Sequence, residues 1–229
     1  MVNEKTPLET SKPVVNHLAS CLSKLDNESC KSVAGQAISI VKPRQFQFDQ
    51  EDTLIKRELA EVFSAQKNYE QAARTLETIL IDQSEKSFRE KAEVWLMIAE
   101  NWFEADDSVN AEIYVNKAAY LMHHLEKCVD IQLQYKSFHA KILDSKRQFT
   151  LAAWKYYSVS NQQGIEDEDA YQMLQCAVTC TVLSPVGDQK FRLISTLHKD
   201  DRVKTLEVHY GLLDKLFMGQ VLQPTDYDQ

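Results

Sequence analysis

The chain has 229 residues, with 26 Lys and Arg against 34 Asp and Glu, a formal net charge of -8 and 44% hydrophobic residues. That balance argues against nucleic acid as the main partner, because phosphate contacts need clustered Lys and Arg. There is no apolar run of about 18 residues, and Met1 is followed by Glu4, Lys5 and Pro7 without a signal-peptide pattern. The chain therefore reads as soluble and intracellular, with no membrane partner.

In chain order, residues 1–45 form a segment of their own. Val14, Leu18, Leu22 and Leu25 predict a short amphipathic helix, and Val33, Ala34, Ala37, Ile38 and Val41 a second one stopped by Pro43. We expect a loosely attached helical cap here, or partial disorder before Pro13.

Residues 46–160 carry a repeat. From Ala60, a large residue follows three later at Phe63, an aromatic nine later at Tyr69, a small residue twelve later at Ala72 and a large one sixteen later at Leu76. The same offsets from Ala99 give Trp102, Ser108, Ala111 and Val115, and from Ala140 they give Leu143, Phe149, Ala152 and Tyr156. The anchors fall 39 and 41 positions apart. Such a period marks a helical repeat, in which no unit buries its apolar face alone. Small residues on both helices of a hairpin let the axes approach to about 8 to 10 Å, so Ala60, Ala72, Ala99, Ala111, Ala140 and Ala152 are expected at helix crossings.

Helices are expected at Asp49 to Ser64, Asn68 to Asp82, Ser87 to Glu104, Asp107 to His123, Lys127 to Ser145 and Gln148 to Ser158. Asn68 with Gln71 and Ser87 with Glu90 resemble capping boxes, and Asp107 is placed to cap another helix. Of the adjacent pair Trp102 and Phe103, one must face the core. The period exceeds the roughly 34 residues of a tetratricopeptide unit, and that motif's Trp-Leu-Gly and terminal Pro are missing, so the array is tetratricopeptide-like. The fold class is all-α, a right-handed α-solenoid of helix hairpins.

Residues 161–229 are a degenerate continuation. A polar acidic stretch leads to Ala170, Leu174, Ala177, Val178, Thr181 and Val182, a buried-looking helix ending at Ser184-Pro185. Twelve residues beyond Ala177 stands Gln189, which breaks the alanine rule. Further helices are expected at Phe191 to Leu197 and Val203 to Leu216, the latter interrupted at Tyr210-Gly211, with a frayed end at Gln223 to Gln229.

Chemistry-bearing patterns are sparse. Cys21, Cys30, Cys128, Cys176 and Cys180 include no CxxC pair. Cys176 and Cys180 sit one turn apart without a third or fourth ligand, so buried reduced thiols are expected. Among six histidines no HExxH occurs, and on an α-helix His123 and His124 would point about 100° apart. No phosphate-binding glycine loop or nucleophile elbow is present. The acid runs Glu166 to Asp169 and Asp200-Asp201 read as solvated faces, and Lys199-Asp200-Asp201-Arg202 as a turn bracing two helices. This reading assigns no catalytic, cofactor-binding or metal residue and no cofactor.

The segments LAEVFSAQKNYEQAARTLETI, NWFEADDSVNAEIYVNKAAYL, KILDSKRQFTLAAWKYYSVS, CAVTCTVLSPVGDQKFRLISTLHKDDRV and HYGLLDKLFMGQVL resemble, in order and spacing, the helical-repeat region of the fourth-subunit family of the COP9 signalosome, a PCI-domain family. The resemblance implies a non-catalytic scaffold, present in cytoplasm and nucleus, whose partners are other signalosome subunits and components of cullin-RING ligases. The complex removes NEDD8 from cullins through a zinc site in a different subunit. A proteasome-lid subunit of the same architecture and a free adaptor binding a peptide in its groove are the competing readings. The winged-helix half of the PCI module is expected to be missing, since the chain stops at Gln229, and residues before Phe46 depart from the family's repeats.

Overall fold

A computed structural model describes residues 8–81, 86–220 and 223. Among these the chain is helical, with no strand. It divides into two compact units, Met1–Leu121 and Met122–Gln229.

The first unit opens with α1 (Leu8–Leu22) and α2 (Asn27–Val41), then a 3-10 segment (Lys42–Phe48) that leads into α3 (Asp49–Ala65). Asp26 caps α2 by accepting from the Ser29 amide at 3.2 Å. The α1 face differs from expectation. Ser11, Val15, Ala19 and Leu22 are buried, whereas Val14 and Leu25 are exposed. Val14 lies one residue, about 100°, off the buried stripe, and Leu25 falls beyond the helix end. On α2 the predicted stripe holds, with Ala34, Ala37 and Val41 buried together with Cys30. The two helices share an apolar core with Phe48, Ile55 and Leu59. Pro43 does end α2, but the chain continues in 3-10 form with a kink at Arg44 (φ -123°, ψ 27°).

Two hairpins follow, α3 with α4 (Tyr69–Glu77) and α5 (Phe88–Glu104) with α6 (Ser108–Ala119). The second unit has a 3-10 turn (Met122–Leu125) and the hairpin of α7 (Val129–Ser145) and α8 (Phe149–Ser160). The helices α9 (Asp167–Leu183), α10 (Asp188–His198), α11 (Asp201–Lys204) and α12 (Glu207–Phe217) complete it. The six alanines expected at crossings, Ala60, Ala72, Ala99, Ala111, Ala140 and Ala152, are all buried to 1% exposure or less. Leu76, Val115 and Tyr156, sixteen places from each anchor, are buried beside them.

The three hairpin turns are copies of one another. Lys67, Asp106 and Arg147 adopt φ of 59°, 66° and 57°. In each turn the following residue reaches back five: the amides of Asn68, Asp107 and Gln148 donate to the carbonyls of Phe63, Trp102 and Leu143 at 2.9 Å. The left-handed residues themselves donate to Ser64, Phe103 and Asp144 at 2.8, 3.0 and 2.8 Å. This is a Schellman closure made without glycine, and it satisfies carbonyls that a helix end leaves open.

Caps differ from helix to helix. Ser87 and Glu90 form the expected capping box, and Asp107 accepts from the Asn110 amide at 3.0 Å. Asn68 makes no side-chain cap. Its backbone (φ -99°, ψ 59°) is close to that of Asp107 (φ -103°, ψ 78°), so the difference lies in the side chain and not in the turn.

Three helix boundaries also depart from expectation. α4 stops at Glu77, and the end expected at Asp82 lies outside the described residues. The helix expected to reach His123 ends at Ala119 and is followed by the separate 3-10 turn. The final break falls at Thr205-Leu206, where Val203 and Leu206 both turn into the core, while Gly211 sits inside α12. Of the residues before Pro13, where partial disorder is the alternative expectation, Leu8 to Lys12 are helical in α1, and residues 1–7, like 224–229 of the expected frayed end, are outside the described residues.

A candidate protein-binding face on α3 and α5

In the first unit the leading helices of the two hairpins lie side by side. The Arg57 guanidinium reaches Glu93 and the Met97 sulfur, both at 3.4 Å, and the Ser64 hydroxyl donates to Asn101 Oδ1 at 2.6 Å. Asn101 is held in turn by its amide, which donates to the Met97 carbonyl at 2.8 Å. Two grooves flank this seam. One, of about 500 Å³, is lined by Glu61, Tyr69, Glu100 and Glu104 among others. The other, of about 740 Å³, runs from Phe46 past Glu51, Leu54 and Arg57 to Lys86.

A buried polar bracket ties together the segments that carry the larger groove. Lys56 pairs with Asp52 at 2.7 Å, with both side chains about 95% buried or more. Lys56 also donates to the Thr78 carbonyl at 3.0 Å, and Gln45 donates to Asp52 at 2.9 Å and to Thr78 at 3.2 Å. The 3-10 segment, α3 and the end of α4 are thereby tied at one point. A buried charge pair is retained only when its remaining hydrogen-bond capacity is met, as here. On the groove's rim Lys86 pairs with Asp49 at 2.7 Å. Glu90 is held below the usual carboxylate range, first by the Ser87 amide and hydroxyl. Along α3, burial and the neighbouring Glu61 raise the Glu58 carboxyl above its ordinary value of 4.5.

The hairpins are cross-braced at Glu77. Its Oε1 accepts from Trp102 Nε1 at 2.8 Å and from the Tyr114 hydroxyl at 2.9 Å. Burial and this bond push the Tyr114 phenol up to about 12. Trp102 is thus the core-facing member of its pair, and Phe103 is half-buried.

In the second unit the Lys199 to Arg202 turn braces helices as expected. Arg202 donates to Asp200 at 2.7 Å, to the Ser160 carbonyl at 2.8 Å and to Asn161 Oδ1 at 2.7 Å, joining the end of α8 to the start of α11. The Arg202 hydrogen bonds hold Asp200 below the usual carboxylate range. His198 lies stacked on Phe217, with ring centroids 4.1 Å apart, and meets Asp214 at 3.0 Å.

All five cysteines are free thiols; Cys30 and Cys180 are buried and the other three are half-buried. Burial is the main cause that raises the Cys176 and Cys180 thiols, which makes them poor nucleophiles. His123 and His124 do not diverge as they would on an α-helix. Their segment is 3-10, and the two exposed rings tilt together at 3.7 Å. Among the described residues no group of three or more His, Cys, Asp or Glu is arranged to hold a metal ion. No described helix is long and apolar enough to cross a membrane.

A family model described as PSMD12/CSN4, N-terminal, matches residues 1–168. The chain belongs to the PSMD12/CSN4 family. Over the whole chain it is 32% identical to the COP9 signalosome complex subunit 4 of Arabidopsis thaliana, and 29% identical to that of Drosophila melanogaster. Over 99% of the chain it is 31% identical to that of Emericella nidulans. It covers 59%, 56% and 55% of those three relatives, so it spans little more than half of each. The PSMD12/CSN4 match includes the alanine-anchored hairpins and both α3/α5 grooves. The polar lining of that seam was not visible beforehand: Glu51, Arg57 and Asn101 resemble any mixed-charge helix exterior until α3 and α5 are set side by side. No periodic signal marks them, since Glu51 and Asn101 lie about 180° and about 200° round their helices from Ala60 and Ala99.

Proposed function

We propose that this chain is a non-catalytic, protein-binding subunit of a COP9 signalosome, holding other subunits and cullin-RING ligase components while NEDD8 is removed from cullins at a site on another subunit. The observation that carries this reading is the collinear likeness, near 30% identity over essentially the whole chain, to relatives that bear the signalosome subunit's name. The physical character of the chain supports it. Helix hairpins whose regularly spaced alanines are spent on internal packing leave their outer faces for partners. The groove-lined seam of α3 and α5 is such a face. We propose cytoplasm and nucleus as its compartments. The proteasome-lid and free-adaptor readings draw no comparable support from the three relatives named above.

Affinity purification of a tagged chain from the cells that make it, with mass identification of retained proteins, tests the proposal. Recovery of several further signalosome subunits in one assembly is expected. Recovery of proteasome-lid proteins, or of a single peptide-bearing protein in a small complex, would replace it by one of the other readings.

A further inference from the structure

Among the described residues, the larger groove contains one carboxylate, Glu51, that no neighbouring side chain pairs with. Asp52 and Glu51 are neighbours at the start of α3 and both are more than 90% buried. Asp52 is neutralised by Lys56 and bonded by Gln45. Glu51 lines the groove, and among the described residues its carboxylate has neither a hydrogen bond nor an ion pair. Of the three cations in the lining, Lys86 pairs with Asp49 and Arg57 with Glu93, and Lys12, exposed on α1, makes no ion pair with Glu51. Glu51 has no counter-charge of its own, so a cation brought to it as a partner covers the groove gains a charge-assisted contact.

Beside it stand two large apolar side chains in water, Leu54 at 43% and Phe46 at 72% exposure. Leu54 is three residues after Glu51 on α3, so the carboxylate and the apolar contact are one helical turn apart, with Cβ atoms about 5 to 6 Å from each other. The neighbouring groove continues the same face with Glu61, Glu100 and Glu104, and the whole chain carries a net charge of -8.

We infer that this groove is a docking site for an amphipathic segment of a partner protein that presents a Lys or Arg about one helical turn from a large apolar side chain. The cation pairs with Glu51 and the apolar side chain lies between Phe46 and Leu54. The acids of the adjoining groove attract further basic residues and speed encounter. The inference rests on the protein-binding part of the function proposed above, and not on which complex the chain enters.

The test pans a random peptide library displayed on phage against the full chain, then measures synthetic copies of the selected peptides by fluorescence anisotropy. Selected peptides are expected to share a basic residue one turn from a large apolar one. Glu51→Gln should weaken their binding by about thirtyfold or more, as loss of one partner of a buried charge pair does. Leu54→Ser should weaken it by about tenfold. Glu51→Lys should restore binding to a peptide whose basic residue is changed to Glu, which a merely structural role for Glu51 would not produce. Val186→Ser, in the other unit, should change nothing, and equal melting temperatures establish that the variants are folded. Selection of no peptide, of peptides without a basic residue, or of peptides indifferent to Glu51→Gln would each overturn the inference. A chain that fails to enter a signalosome yet binds these peptides refutes the functional reading and leaves the groove standing. Entry without peptide binding does the reverse.

Discussion

The hairpins α3/α4, α5/α6 and α7/α8 and the helix pair α9/α10 solve one problem in two ways. Each of the first three turns closes by a left-handed residue and a reach-back of five, and each places alanines twelve apart at the crossing. The α9/α10 connection has only half of that device. Ala177 is buried, but the residue twelve later, Gln189, is exposed. Ser184 is extended (φ -65°, ψ 149°) and Pro185 follows it, so no Schellman turn forms. The side chain of Lys190 reaches back to the carbonyls of Val182 and Ser184 at 2.8 and 2.9 Å and satisfies them from outside. A helix end must have its carbonyls met, and a lysine can do what a backbone turn does elsewhere. What the lysine cannot do is set the distance between two helix axes, which is the alanines' part.

The bracket behind the first hairpin offers the largest test of that contrast. Asp52→Ala should cost about 3 to 5 kcal/mol by leaving Lys56 buried and unpaired, whereas Asp52→Leu with Lys56→Met should come close to the parent chain. Denaturant unfolding of both variants measures it. An equal loss in the two would mean that shape, and not charge, holds α3 to the end of α4.

The alanine rule itself is sharpened by a matched pair. Ala111→Leu should destabilise by about 1 to 3 kcal/mol through overpacking, while Gln189→Leu at the corresponding place should shift the thermal midpoint little, because that side chain faces water. If both variants lose stability alike, the α9/α10 pair obeys the rule after all. Lys190→Met keeps the stem and removes the cap. It should cost about 1 to 2 kcal/mol, read as a lowered unfolding midpoint.

Smaller effects belong to the turns. Arg147→Val should lose about 1 kcal/mol or more, since a β-branched residue resists positive φ. Arg147→Gly should be neutral or gain up to about 1 kcal/mol. The smallest effect concerns pH. Glu58 is more readily protonated in the folded chain than in the unfolded one, because of burial and then Glu61. The folded state therefore binds more protons, and stability lost to the ionised carboxylate at neutral pH returns as pH falls through its raised value toward 4.5. Glu58→Gln should be more stable than the parent chain at pH 7, and the difference should close on acidification. Stability curves against pH show it. Glu90 and Asp107, whose values are lowered by hydrogen bonds, act in the opposite sense below about pH 4.

Much of the architecture was legible before any coordinates. Twelve-residue alanine spacing identifies crossings because only a methyl group fits where two helices meet, and that constraint is written in residue size alone. Ser87 with Glu90 and Asp107 announce helix starts for a similarly local reason. Errors arose where a neighbour decides. Val14 is as apolar as Val15, but the contact with α3 selects one face. Asn68 and Asp107 hold the same place in their turns, yet only Asp107 accepts from the amide three residues on. The candidate face was the least legible part, since a carboxylate's character depends on which cations are near it in space.

The amino-acid sequence by itself therefore determined the class of this protein: helix hairpins in series, joined at regularly spaced alanines and bearing no recognisable catalytic pattern. Those features follow from side-chain volume and helical periodicity, which act over a few turns of one chain segment. Only the tertiary structure decided that Asp52 is a sealed counter-ion and that Glu51, its neighbour, is left facing a groove without one. Electrostatic pairing and desolvation depend on groups brought together from α3, the 3-10 segment and the end of α4. No pattern of spacing along the chain encodes that meeting.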